Sequence, residues 1–365
     1  MCVRRLEIIL TIGDISIRGG AERVVVNLAE ALCEIGHKVE ILSFYRSNES
    51  LPYTINPQIK ITFLHQHSQD SMRKRLFYKL YYKIYESYLV NKMYPNADVM
   101  IFNNSPHFPF FKNLKTRYIK FVHTSFKRFL RRLNFFDALV VLSNKEIETW
   151  RKYHKNVVVI PNFVKVFSNE VSSLDQKRVL CVGRITPNDE KGFFRLVDIW
   201  EEVYKNPKNK VWELCLIAGV ESAKEEPFKE KLEQKIKQRN LQDSVILKPF
   251  SKEIEKEYLR ASIYAMSSYA EGFGMVLVEA ASFGLPSVAF DINTGPSDII
   301  ENRVSGFLVT DGDLGEYARA LEKLMGNEEL RREMGAKAKM IVEDKFSKDK
   351  VMVQWEELFR ELLLR

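Results

Sequence analysis

The stretch Tyr269-Ala-Glu-Gly-Phe-Gly-Met-Val-Leu-Val-Glu279, continued by Ala280-Ala-Ser-Phe-Gly-Leu-Pro-Ser-Val-Ala-Phe290 and Asp291-Ile-Asn-Thr-Gly-Pro296, decides how the chain is organised. Gly272 and Gly274 put backbone without side chains just after Glu271. Met275 to Ala281 then reads as a buried helix, with Gly284 as its C-cap and Pro286 preventing its continuation. Val288 to Phe290 follows as a short strand. A glycine loop feeding a helix N-terminus offers free N–H groups and about half a positive charge, which suits an anion such as a nucleotide diphosphate. Glu279 lies about one turn inside the helix and Glu271 lies before it. Either both carboxylates face one cleft, or Glu271 is solvated and Glu279 only caps or pairs; the stretch alone leaves both open.

Outward from this stretch the chain alternates strands and helices. Leu6 to Ile12 is a continuous apolar run suited to a strand buried on both faces, Gly19-Gly20-Ala21-Glu22-Arg23 opens a helix to about Glu34, and Val39 to Phe44 is a second strand. Strand, glycine loop, helix, strand is a βαβ unit, which calls for a parallel sheet. A helix is predicted over Met72 to Met93, and strands over Val99–Phe102, Tyr118–Val122, Ala138–Leu142 and Val157–Ile160. Phe163 to Asp175 carries little periodicity and reads as a linker. The pattern then restarts with the strand Arg178–Val182, the helix Gly192–Tyr204 and the strand Trp212–Ala218, and it closes with an amphipathic helix from Ser347 that carries Trp355 and Phe359 on its apolar side. The expectation is two consecutive α/β domains, residues 1–165 and 166–346, with the helix 347–365 packing back toward the first.

Composition narrows the function classes. Four cysteines, Cys2, Cys33, Cys181 and Cys215, stand apart without a Cys-x-x-Cys pair, which argues against a zinc site or a disulfide framework and for a reduced, cytoplasmic protein. Arg4-Arg5 followed by Leu6 to Ile12 looks superficially like a secretory signal, but Glu7, Asp14 and the lack of a small-residue cleavage site favour a first strand. The sequence has no run of 18 apolar residues that would cross a membrane as a helix. Residues 1–165 hold 26 Lys and Arg against 13 acids, whereas the remainder holds 30 against 35, so the first half is the one that meets something anionic. Within it, Met72-Arg-Lys-Arg-Leu-Phe-Tyr-Lys-Leu-Tyr-Tyr-Lys-Ile-Tyr85 and Lys112 to Arg132 interleave cations with aromatic rings. That mixture suits the surface of an anionic bilayer. The alternative is a pair of amphipathic helices with a solvated basic face; nucleic acid is disfavoured because no recognisable binding motif accompanies the charge.

Val182-Gly183-Arg184-Ile185 ends one predicted strand and Lys191-Gly192 begins the next helix. Arg184 and Lys191 therefore share a strand-to-helix loop, where a fork of donors and a point charge can neutralise a diphosphate leaving group without metal. Solvated loop cations are the alternative. Together Gly19-Gly20-Ala21-Glu22-Arg23, Val182-Gly183-Arg184, Lys191-Gly192-Phe193 and Glu271-Gly-Phe-Gly-Met-Val-Leu-Val-Glu279, in this order and spacing, resemble the retaining glycosyltransferases of family four. Glu190-Lys-Gly-Phe193, Pro249-Phe250, Phe290-Asp291 and Gly295-Pro-Ser-Asp-Ile-Ile300 make the chain most similar to bacterial enzymes of lipopolysaccharide, capsule and exopolysaccharide assembly. The resemblance covers nearly the whole chain, more specifically in its second half.

The resemblance implies the GT-B fold, two Rossmann-like domains with parallel sheets facing a central cleft. It implies a nucleotide-sugar donor, commonly a UDP-sugar, and no cofactor or metal beyond it. Arg184 and Lys191 would then hold the diphosphate, Glu279 the ribose hydroxyls, and Glu271 with the Phe273-Gly274 backbone the donor sugar, with Gly272, Met275 and Val276 as further donor-binding positions. Pro249 and Phe250 would border the base, and Gly19 and Gly20 would let the first domain's backbone close on the phosphates. His123 would lie near the anomeric centre, a structural histidine being the alternative. Asp189 and Glu190 stand beside the proposed diphosphate site and make its field less positive. The expected protein is a peripheral enzyme at the inner face of the plasma membrane that extends a lipid-linked or glycan acceptor with retention. A nucleotide-sugar epimerase and a non-catalytic GT-B scaffold are the competing readings.

Overall fold

The structure, a computed structural model, describes residues 4–73, 82–104, 107–165, 169–220, 225–251 and 253–364. The chain divides into two compact units, Met1–Asn162 with Lys348–Arg365, and Phe163–Ser347.

The first unit is built on β1 (Glu7–Ile12), α1 (Gly20–Glu34), β2 (Lys38–Ser43), β3 (Lys60–Phe63), α2 (Gln69–Arg73), α3 (Tyr82–Met93), β4 (Val99–Phe102), β5 (Arg117–Phe121), β6 (Ala138–Val141), α4 (Ile147–Arg151) and β7 (Val157–Val159). Its seven strands pair in the order β3-β2-β1-β4-β5-β6-β7, all parallel. The central strands are apolar along their length because helices cover both faces of such a sheet, and Ile8, Ile9, Leu10 and Ile12 are fully buried. The predicted helix over Met72–Met93 appears at its two ends as α2 and α3; Lys74 to Tyr81, most of the first basic run, lie outside the described residues. The second basic stretch, Lys112 to Arg132, is not a helix. It is a loop, then β5, then a segment entering a 3₁₀ turn at Arg131–Phe135, because Tyr118, Ile119 and Phe121 are taken up by the sheet core.

The second unit contains β8 (Arg178–Arg184), α5 (Phe193–Tyr204), β9 (Glu213–Gly219), α6 (Glu226–Gln238), β10 (Val245–Lys248), α7 (Ile254–Leu259), β11 (Ile263–Met266), α8 (Met275–Ser282), β12 (Ser287–Asp291), α9 (Pro296–Ile299), β13 (Gly306–Thr310), α10 (Leu314–Met325) and α11 (Glu328–Phe346). Its six parallel strands run β10-β9-β8-β11-β12-β13. The strand order reverses between β8 and β11, and a crevice outside the carboxyl ends of strands forms at such a point. A core of Leu196, Trp200, Leu214, Leu216, Phe290 and Leu321 lies beneath it.

Phe163 to Asp175, expected as a linker, belongs largely to this unit. Val164 donates its N–H to the Phe346 carbonyl (3.2 Å) and pairs with Ser347, so the division falls after Asn162 and not at residue 165. Further on, Ser172 donates its N–H to the Phe283 carbonyl (2.9 Å), and the buried Leu174 offers its carbonyl to the Arg331 guanidinium (3.0 Å). These are backbone polar groups that a free linker would leave to water.

The last helix, α12 (Lys348–Leu364), is part of the first unit. Trp355 sets its edge on Phe121 with ring centroids 5.3 Å apart, Glu356 meets His37 at 2.7 Å, and Arg117 donates to the Leu362 carbonyl (2.8 Å).

Candidate functional site

Arg184 ends β8 with its side chain exposed, and Lys191 lies seven residues on, just before α5. A Cβ on Gly183 would stand 3.0 Å from Lys191 Cγ, so the glycine lets the lysine stem lie across the strand end. Lys191 Nζ donates to Glu271 Oε1 at 2.8 Å, and Ser268 Oγ donates to the same oxygen at 2.6 Å. The Glu271 side chain is 9% exposed and the Lys191 side chain 28%, so the ion pair sits at the mouth of the crevice rather than in open solvent. The structure thus joins the cation that the resemblance assigns to the diphosphate and the carboxylate it assigns to the adjoining sugar.

The loops carrying them are interlocked. Tyr269 donates its N–H to the Glu190 carbonyl (2.9 Å), and Ser267 Oγ donates to the Gly192 carbonyl (2.9 Å). Gly192 has φ +69°, and a Cβ there would fall 1.9 Å from the Ser267 carbonyl oxygen, so only glycine permits this approach. Arg195, which is not among the residues singled out from the sequence, secures the same corner. Its guanidinium donates to the Ser267 and Ser268 carbonyls and to Asp311 Oδ1 (2.7 Å), and lies 3.8 Å from the Tyr269 ring centroid and 4.0 Å from that of Phe290. Its signal in the sequence is an arginine set among the apolar positions of the helix Gly192–Tyr204.

The two helix N-termini at this corner differ. Asp189, in the left-handed region at φ +48°, turns its carboxylate onto α5 and accepts from Phe193 N–H (2.9 Å) and Phe194 N–H (3.1 Å). Burial nevertheless pushes its carboxyl above the usual range, with the two amides acting in the opposite direction. Asp189 is therefore the helix cap of α5 as well as an acid two residues from Lys191. At α8 no side chain caps the helix, and Gly274, at φ +90°, turns the chain into it. The Leu277 N–H returns to the Gly274 carbonyl (2.9 Å), while the amides of Met275 and Val276 belong to the first turn, which has no partners within the helix. This end suits an anion.

Glu279, half-buried on α8, accepts from Tyr258 OH at 3.0 Å. Phe273 is buried, edge-on to Phe346, so it offers the site its backbone and not its ring. Gly295 at φ +100° approaches so closely that a Cβ would lie 2.4 Å from the Phe273 carbonyl oxygen. Pro249 and Phe250 are exposed beyond β10. The Phe250 ring covers Gly219 at the end of β9, where a Cβ would meet the ring at 1.9 Å.

In the first unit, Gly19 caps α1 in extended conformation and exchanges hydrogen bonds with Tyr53, its N–H donating to the hydroxyl (3.0 Å) and the hydroxyl donating to its carbonyl (2.7 Å). A Cβ at Gly20 would meet nothing within 4 Å, so packing within the unit does not demand glycine there. His123 follows β5. Asn103 Nδ2 donates to the Thr11 carbonyl (3.1 Å), which leaves its Oδ1 to accept from His123 Nε2–H at 2.9 Å. The imidazole is thereby held in the Nε2–H tautomer with a lone pair on Nδ1. Burial, and then the neighbouring Lys120, push its pKa down to about 3, so the ring is neutral at physiological pH. Lys120, also unnoticed in sequence, donates to the Asn103 carbonyl at 2.6 Å, and burial brings its pKa down to about 7.

Comparison with known proteins agrees with this architecture. The family model of group 1 glycosyl transferases matches residues 165–340, and that of glycosyltransferase family 4 matches residues 18–166. The amylovoran biosynthesis glycosyltransferase AmsD of Erwinia amylovora is 30% identical over 351 residues, spanning 89% of this chain and 92% of the relative. An α-1,4-N-acetyl-D-galactosaminyltransferase of Campylobacter jejuni, named for its undecaprenol-diphosphate-linked glycan, is 26% identical over 365 residues, 94% of this chain and 96% of the relative. A crystal structure of S. aureus TarM in complex with fondaparinux, alpha-GlcNAc-glycerol and UDP superposes with a TM-score of 0.79 at 16% identity, covering 97% of this chain and 99% of that one, which shows the shared GT-B fold.

Proposed function

The chain belongs to the bacterial glycosyltransferases of group 1 and family 4 that serve polysaccharide biosynthesis, and from that premise we propose that it moves a sugar from a UDP-sugar to a lipid-linked or glycan acceptor with retention of configuration. The observation that carries the reading is the corner at the β8–β11 switch, where Arg184, the Lys191–Glu271 pair and the uncapped α8 end lie on interlocked loops. In this reading Lys191, Arg184 and the Met275 and Val276 amides hold the diphosphate. Glu271 orients the sugar hydroxyls, Glu279 the ribose, and Phe250 with Pro249 borders the base. UDP bound to TarM and the undecaprenol-linked substrate of the Campylobacter relative support the choice of donor base and acceptor class.

The chemistry follows from charge. The bond between C1 of the sugar and the β-phosphate oxygen breaks, the acceptor oxygen bonds to C1 on the same face, and the acceptor proton passes to the departing diphosphate. Negative charge grows on the leaving group, and preorganised cations and amides lower the barrier most where charge develops. No metal enters this scheme. His123, neutral with an accepting Nδ1, has no part in acid catalysis at pH 7. Work at a membrane-borne acceptor makes the enzyme peripheral at the inner membrane face.

A thermal-shift panel of UDP, UDP-sugars, GDP-sugars and ADP-sugars tests the donor. A true donor at about a hundred times its Kd adds roughly 2.7 kcal/mol of stability. Stabilisation by no nucleoside diphosphate would overturn the proposal.

A further inference from the structure

We propose that the outer face of α3, the loop Phe110–Lys115 and Phe135 form a docking surface for an anionic lipid bilayer, with Leu114 as the side chain that enters the interface. It rests on the reading of the chain as an enzyme of membrane-borne acceptors, but its geometry lies wholly in the first unit.

Tyr85, Tyr88, Phe110, Phe111, Leu114 and Phe135 are all exposed, and Leu114 is 97% exposed. They form one patch. Tyr88 meets Phe111 edge-on at 5.8 Å between centroids, and Phe110 meets Phe135 at 5.7 Å. The loop is pinned to α3, since Phe111 N–H donates to Ser87 Oγ (2.9 Å) and Asn113 Nδ2 to the Asn91 and Tyr94 carbonyls (3.3 and 3.1 Å). Asn113 N–H also donates to Tyr118 OH (2.9 Å). Leu114 is thus held outward by a fixed loop, and burial within the unit offers no reason for a leucine there. A contiguous exposed apolar patch of this kind marks an interaction surface.

Charge selects the occupant. From Tyr82 to Phe136 the sequence has ten Lys and Arg against two acids, Glu86 and Asp98. Glu86 is fully buried between His65 and His107, and Asp98 is taken by Arg4. At the patch Lys92 lies 4.9 Å over the Tyr88 ring, the Arg132 guanidinium lies 4.4 Å over Phe108, and Lys115 stands next to Leu114. Lys112 is partly neutralised by Asp137 at 3.0 Å. Aromatic rings flanked by cations with an aliphatic tip match the interface of an anionic membrane. A second copy of the chain is disfavoured because a two-fold contact would press two positive patches together.

The test is co-sedimentation of the full chain with vesicles of phosphatidylcholine alone or mixed with phosphatidylglycerol, at low and high salt. Wild type should bind the anionic vesicles at low salt and be released at high salt. Leu114→Glu should weaken partitioning about tenfold or more, since it removes the buried methyls and adds a repelled charge. Lys92→Ala and Lys115→Ala should each cost about fivefold at low salt, near 1 kcal/mol per cation at an anionic surface. Leu114→Glu cannot disturb the core and should keep the UDP-induced thermal shift. Equal binding to neutral vesicles, or Leu114→Glu binding like wild type, would overturn the proposal. So would a wild-type dimer that Leu114→Glu makes monomeric. Loss of the nucleotide shift with vesicle binding retained would sink the transferase reading and leave this surface standing.

Discussion

Replacing Lys191 with Ala is the perturbation whose consequences separate a binding corner from a structural one. The substitution removes a cation 2.8 Å from Glu271 Oε1, and the largely buried carboxylate keeps its bond from Ser268 Oγ at 2.6 Å. A charge-assisted bond contributes roughly 1.5–3 kcal/mol, but the lysine side chain is 28% exposed and water screens it, which lowers the expected stability loss to about 1 kcal/mol. Catalysis should suffer far more, since losing one donor to a developing oxyanion costs about 10² to 10³ in kcat. The assay is UDP release under saturating donor, with urea midpoints measured on the same preparations. Lys191→Ala, Glu271→Gln and the double variant complete a cycle. Because the two side chains touch, the double variant should lose less than the sum of the single losses, by roughly 0.5–3 kcal/mol. An unchanged kcat with a lowered urea midpoint would refute the reasoning, because the pair would then only fasten one loop to another.

Two further outcomes follow from individual residues. The pKa of His123 falls from an ordinary 6.5 to about 3 in the folded chain, so below pH 6.5 the unfolded state binds a proton that the native state refuses. Stability is complete above that pH and declines as pH drops toward 3. For a half-buried ring the share lost by about pH 5 is roughly 1–2 kcal/mol, and a His123→Gln variant should show a correspondingly shallower acid slope in urea titrations. A slope equal to wild type would show that His123 titrates normally. At the other corner, Gly295→Ala puts a Cβ 2.4 Å from the Phe273 carbonyl at φ +100°. It should cost about 1–3 kcal/mol in unfolding free energy and weaken nucleotide binding, and a urea midpoint equal to wild type would contradict the strain assigned here.

Much of the architecture could be read from the sequence because it is written in local periods. Apolar runs such as Leu6–Ile12 and Arg178–Val182 spell strands covered on both faces, and the glycine spacing before Met275 spells a turn into a helix. The observed β1 and β8 differ from those runs by one or two residues at their ends. Even inside the basic stretch Lys112 to Arg132, the strand expected over Tyr118–Val122 appears as β5, Arg117–Phe121. The same local rules failed where the decisive partner was distant: Phe163 to Asp175 read as a linker, yet Phe346, Phe283 and Arg331 take up the backbone groups of Val164, Ser172 and Leu174. The helix after Ser347 was legible from Trp355 and Phe359, which are both buried in the structure.

The sequence by itself determined the element order, the glycine-marked loops and the family. Only the tertiary structure decided what the charged side chains of those loops do. Asp189 could cap α5 because its backbone turns left-handed, and Lys191 reaches Glu271 because Gly183, Gly192 and Arg195 draw two loops 80 residues apart into contact. The physical reason is range. Periodicity is set by neighbours a few residues away, whereas the partner of a charge is set by whichever group the fold brings within about 3–4 Å.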